Sequence, residues 1–253
     1  MTTGPQVYRE TFDDGPGGWF GFISNQQGIK PLEIRDSCAI SRSPWWIDYN
    51  HAPPGAGYLH LLYMLYTKGV PGEHHREVAG ENNYIRQGCG TNFINAKITL
   101  RLKGELLDRG AQFCFLAQGV HDGICSGWLL TGQPFTVTPD WSEQTVTCVA
   151  DPAQWTCLGT RHDRGDFYGT HPLTTVLGDA NIDILLVLHR LDVAPMGPLA
   201  GDPHRLRPER DYPVWRSRLP EGYVLLDEVR IEFPGEHEAH PESGPHCRAA
   251  PAN

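Results

Sequence analysis

Alternation of apolar and polar positions is the strongest signal in this chain. From Val229, the residues Val229, Ile231 and Phe233 share one face and Arg230 and Glu232 the other. That period of two belongs to a half-buried strand. Just before it, Val224 to Leu226 is apolar on both faces, as in a central strand, and Asp227 interrupts the run. A carboxylate among aliphatics needs a partner, so an earlier segment must pair here and account for Asp227. Ala96 to Leu102 alternates as cleanly, with Ile98, Leu100 and Leu102 against Lys97, Thr99 and Arg101.

Further strands are predicted over Val7–Phe12, Pro31–Ile40, Tyr58–Tyr66, Ala111–Gln118, Gly127–Leu130, Phe135–Val137, Trp141–Val149, Trp155–Thr160 and Ile182–Leu191. Lys68 to Gly90 reads as a long polar connection, with Tyr84–Arg86 extended. Val193 to Pro220 is a Pro- and Arg-rich excursion. Short strands, turn residues and no strongly amphipathic helix predict an all-β antiparallel sandwich of the jelly-roll kind. It carries long loop insertions and forms a single domain over residues 1–235 with a loose tail over 236–253.

Composition narrows the function. A net charge of −9 argues against nucleic acid and anionic membranes as partners and is compatible with a cation site. Seven cysteines, an odd number without a Cys-x-x-Cys pair, read as free thiols in a reducing compartment. The opening residues lack the pattern of a signal peptide, and no run is apolar enough for a membrane helix, so the expectation is cytoplasmic.

Three patches carry a family resemblance. Phe12-Asp13-Asp14-Gly15 with Trp19 resembles the entry of carbohydrate-binding-module jelly rolls of the galactose-binding-domain-like kind. Trp141-Ser142-Glu143-Gln144-Thr145-Val146 resembles their mid-domain strand, and Leu226-Asp227-Glu228-Val229-Arg230-Ile231 their closing strand. The related intermediate-associated family of respiratory-complex assembly shares these features. The resemblance implies first and last strands lying side by side and a structural calcium ion with Asp13 and Asp227 as side-chain ligands. The alternative is that Asp13 caps a turn and Asp227 pairs with an arginine.

Candidate ligand-binding residues cluster in two loops. In Trp45-Trp46-Ile47-Asp48-Tyr49-Asn50-His51, the adjacent tryptophans point opposite ways, so that one can be core and one an exposed platform for a sugar face. Asp48, Asn50 and His51 would bond its hydroxyls; the alternative is that both rings pack against the long loops. In Arg161-His162-Asp163-Arg164-Gly165-Asp166-Phe167-Tyr168, forked guanidinium contacts suit a polar ligand, and a self-paired surface loop is the alternative. His189-Arg190 ends an aliphatic strand. His189 is the candidate acid–base group, with Asp163 or Asp192 as orienting partner and Tyr168 nearby. Gly123-Ile124-Cys125-Ser126-Gly127 has the spacing of a nucleophile elbow, but Gly132 and Pro134 deny it the helix it needs.

The expected function is binding of a carbohydrate or similar polyhydroxylated ligand on a concave sheet face beside Trp45-Trp46. A lyase or hydrolase using His189 is the alternative, and a non-catalytic subunit or assembly partner, homo-oligomeric or bound to another protein, is a third.

Overall fold

The computed structural model describes residues 6–24, 27–48, 51, 55–69, 72–160, 165–193 and 219–235. In chain order the strands begin with β1 (Val7–Glu10), β2 (Gly21–Ser24), β3 (Gly28–Lys30), β4 (Glu33–Arg35), β5 (Cys38–Arg42), β6 (Ile47–Asp48) and β7 (Leu59–Tyr66). They continue with β8 (Lys97–Leu107), β9 (Gln112–His121), β10 (Ile124–Leu129), β11 (Ser142–Thr147), β12 (Thr156–Cys157), β13 (Asp183–His189) and β14 (Glu221–Glu232). Three short helices, α1 (Gly72–Ala79), α2 (Asn83–Arg86) and α3 (Leu173–Gly178), lie in the connections.

Two antiparallel sheets result. The first runs β11-β8-β14-β5-β4, with β1 also on β14; the second runs β12-β10-β9-β13-β7-β6. The all-β sandwich expected from the alternation is therefore the fold. Its closing strand is central. β8 pairs with β14 along nearly its whole length, while β5 takes Tyr223–Leu226 and β1 takes Val229–Glu232 on the other side. First and last strands are neighbours.

A bulge explains why β14 reads as apolar on both faces at first and alternating later. Leu226 faces Leu102 and Glu228 faces Arg101, which leaves Asp227 as the extra residue. One extra residue reverses the parity of a strand. Val224 and Leu226 point into the core before it, Val229 and Ile231 after it. Leu225 and Asp227 are thereby turned to the outer face.

Between the sheets, these side chains meet Ile98, Leu100 and Leu102 of β8, Phe113 and Phe115 of β9, and Ile184, Leu186 and Leu188 of β13 in one continuous core. The fully buried Tyr63 of β7 ties the layers together. Its hydroxyl donates to the Val224 carbonyl at 2.6 Å and accepts from the Ser41 amide at 3.1 Å.

The outer faces of the two sheets differ. That of the second sheet is itself covered: Leu61, Met64, Leu116, Leu185 and Val187 form a second apolar cluster with Phe20 and Trp46, against which Phe22 and Ile29 of the β2–β3 hairpin pack. Phe20 bridges to Met64 through two backbone hydrogen bonds of 2.9–3.0 Å. The outer face of the first sheet carries a cleft instead.

Two local expectations are corrected. Pro31–Ile40 is a hairpin, not one strand. Arg35 pairs with Cys38, and the intervening Asp36 and Ser37 have φ of 50° and 56°. Positive φ at both positions makes the two-residue turn whose twist suits a hairpin. Tyr84–Arg86 is helical rather than extended, because Asn82 caps it: its Oδ1 accepts from the Ile85 amide at 3.0 Å and its Nδ2 donates to the Tyr66 carbonyl at 2.9 Å. The 68–90 connection thus holds two helices and buries His75, Ala79 and Tyr84. Most of the 193–220 excursion and the 236–253 tail lie outside the described residues. No helix among the described residues is long and apolar enough to cross a membrane.

Candidate functional site

The cleft on the first sheet measures about 610 Å³. Strand register arranges its lining, flanked by Arg101, Glu33 and Glu105, in rows, because alternate residues of neighbouring strands share a face. In the first row Arg101 of β8, Asp227 of β14, Cys38 of β5 and Arg35 of β4 follow one another across the sheet. In the second come Lys103, Leu225, Ile40 and Glu33; in the third, Glu105, Tyr223 and Arg42. Leu225, Ile40 and Cys38 make an apolar floor. Trp141, immediately before β11, stands at one side, half-buried.

Both aromatics are held by cations. Arg101 and Lys103 lie 4.8 and 4.6 Å from the centre of the Trp141 ring, and Arg42 lies 5.0 Å from that of Tyr223. Such contacts fix the ring planes. Asp227 pairs with Arg101 and accepts from the Cys38 thiol at 3.8 Å. Glu33 accepts from Arg35 at 2.8 Å and from Arg42 at 3.2 Å. These pairs are well exposed, so they set side-chain geometry more than they add stability. Burial, and then the charge of Asp227, push the Cys38 thiol above its ordinary value. A thiol held neutral in this way is a poor nucleophile.

The bulge supplies the acid. Without Asp227 as an inserted residue, β14 could not keep an unbroken apolar inner face and still present Tyr223, Leu225 and a carboxylate outward.

Of the residues singled out from sequence, Asp227 is the one in this cleft. Trp45 and Trp46 do point opposite ways, but both are buried, at 5% and 8% exposure. Trp45 enters the inter-sheet core and donates through Nε1 to the Ser41 hydroxyl at 2.9 Å. Trp46 enters the second cluster, 5.3 Å from the Phe22 ring. The exposed platform expected there is absent because the second sheet carries its own covering layer. Asp48 and His51 are buried as well.

His51 and Tyr168 are brought together, their rings 5.8 Å apart. His189 sits under the same loop as His51, its Nε2 3.4 Å from the Ala56 carbonyl, while the Gly57 amide donates to His51 at 2.8 Å. Burial lowers the pKa of His189, which keeps the ring neutral. Arg190 follows it, exposed, against Gly57. On β13, His189 shares the face of Leu185 and Val187, on the side of the second sheet remote from the cleft. Asn50, Arg161 and Asp163 lie outside the described residues.

The proposed calcium ligands have other partners. Asp13 accepts from the Thr11 hydroxyl at 2.7 Å, and hydrogen bonds from Thr11 and Ser37 hold its carboxyl below the usual range. Asp227 faces a guanidinium, which would repel a cation. Both carboxylates are thus engaged by side chains of the protein itself. Among the described residues no cluster of three or more His, Cys, Asp or Glu side chains is placed to hold a metal.

The chain matches no family model, no curated protein and no solved structure. The site must be read from its own chemistry.

That reading rests on residues not singled out from the sequence as ligand-binding candidates: Trp141, Tyr223, Arg42 and Lys103. One signal pointed to them. Tyr223 and Leu225 share the parity of Asp227, and Arg101 and Lys103 share the outward parity of β8, so two neighbouring strands offered one mixed face.

Proposed function

We propose that the protein is a non-catalytic binding protein for a carbohydrate or similar polyhydroxylated ligand, taken up in the cleft of the first sheet. The observation that carries this is the pairing of two half-buried aromatics, Trp141 and Tyr223, with forked donors and carboxylates over an apolar floor. Sugars present C–H faces for a ring to stack on and hydroxyls that Arg101, Asp227 and Arg42 can bond. The volume falls within the roughly 300–1,000 Å³ of small-molecule sites. The lining contains no histidine, and its thiol is held neutral, so binding is favoured over turnover. The six described cysteines are free thiols, which supports a reducing, cytoplasmic setting.

The test is calorimetry and thermal shift against a glycan panel, with turnover assayed alongside. A ligand that binds the native state raises the melting temperature. Trp141→Ala and Tyr223→Ala should each lose about tenfold or more in affinity with little change in melting temperature. Binding that survives both substitutions would end the assignment to this cleft. Turnover lost in His189→Ala would restore the enzyme reading.

A further inference from the structure

The cations of the cleft are not equally engaged. Arg101 is held by Asp227, and Arg35 and Arg42 share the single carboxylate of Glu33. Lys103 differs. Among the described residues no carboxylate lies within ion-pair distance of its ammonium, which rests against the Trp141 indole. The acids nearest in register are Asp227, two residues along β14 from Leu225 and already paired with Arg101, and, exposed at the rim, Glu143 opposite Arg101 and Glu105 opposite Tyr223. Asp36 lines the far end, beyond β14 and β5.

We propose that the saccharide bound here carries a carboxylate, as a uronic acid does, and that Lys103 selects for it. The inference rests on the saccharide reading above. The ammonium of Lys103 is held over the Trp141 ring, 4.6 Å from its centre, so a pyranose taken up beside that ring brings a ring substituent within its reach. A neutral hydroxymethyl group there makes one ordinary hydrogen bond. A carboxylate makes a charge-assisted one, about twice as strong. Leu225 and Ile40 beneath, and the ligand above, reduce water around the pair and strengthen it further. The two guanidinia at the other end are matched in charge by Glu33 and Asp36, so the unpaired positive charge of the cleft is that of Lys103. This local surplus sits on a chain whose net charge is −9. General attraction of anions to the molecule therefore does not explain such a preference; the site must supply it.

The experiment is calorimetry with matched tetrasaccharides: galactose against galacturonic acid, mannose against mannuronic acid, and glucose against glucuronic acid. The acidic member of a binding pair should be held about tenfold tighter at low salt. The preference should shrink as salt is raised. Lys103→Met should abolish the preference by lowering affinity for the acidic member far more than for the neutral one, while Lys103→Arg should retain it. Lys103→Gln serves if the Met variant does not fold. Equal affinity for neutral and acidic members, or a preference that persists in Lys103→Met, overturns the inference and leaves the saccharide reading standing. Failure of every sugar to bind overturns both.

Discussion

Asp183 offers the sharpest test of the energetics of this fold. It heads β13, opposite Gln118 of β9 and Tyr66 of β7, with 4% exposure and no hydrogen-bond partner for Oδ1. Burial pushes its carboxyl up to about 7, from 3.8. In the unfolded chain the group ionises first. Below the lower value both states are protonated and pH has no effect. Between the two, only the unfolded state releases its proton, so stability falls as pH rises, by about 1.4 kcal/mol per unit. Above the folded value the loss is complete, about 4 kcal/mol over roughly three units. Asn has the same shape and does not titrate. Asp183→Asn should therefore gain on the wild type as pH rises, by about 2.7 kcal/mol between about pH 5 and pH 8, and then level off. Urea midpoints measured in parallel for both proteins read this directly, since all other groups cancel in the difference. The Tyr66 phenol gives a second readout: burial, and then the Asp183 charge, push it up to about 12. Its spectroscopic titration should move down in the variant. An offset between the two proteins that does not vary with pH would refute the reasoning.

Four further outcomes follow from the geometry. Tyr63→Phe removes the hydroxyl that joins the Val224 carbonyl and the Ser41 amide, and should cost about 1–3 kcal/mol in chemical denaturation. An unchanged midpoint would mean that the hydroxyl does not tie the sheets. Asp227→Asn should leave the melting temperature within a few degrees, because it weakens only a partly exposed ion pair and a long thiol contact. Deleting Asp227 should abolish cooperative unfolding, because Val229, Ile231 and Phe233 would be turned out of the core; a deletion variant that melts cooperatively near the wild-type temperature would count against the bulge. Chelator should leave the melting curve unchanged. A rise on adding calcium would return Asp13 and Asp227 to the role of ligands.

The sheets were legible because alternation is set by which face is dry, and that pattern is printed along β8 and β14. Asp227 was visible as an anomaly but not as a bulge: an extra residue shows only when the partner strand is known. The Asp36-Ser37 turn was hidden because it lacks the glycine that marks most such turns. For Trp45 and Trp46 the opposite directions followed from adjacency. Their burial did not, because the layer over Trp46 comes from Phe22, remote in sequence. Trp141 read as a strand entry and nothing more, since its cation neighbours belong to another strand. His189 was rightly placed at a strand end, but which side of the sandwich it faced depended on pairings that no local pattern carries.

The central position of β14 also orders events on the ribosome. Every strand of the second sheet falls between Ile47 and His189, so that layer can pair before the remainder is translated. The opposite layer has no such freedom: β1, β5 and β8 share a single mate that emerges only with residues 221–232. Their unpaired edges must wait through the intervening translation, and the cleft of the first sheet cannot form until β14 is in place.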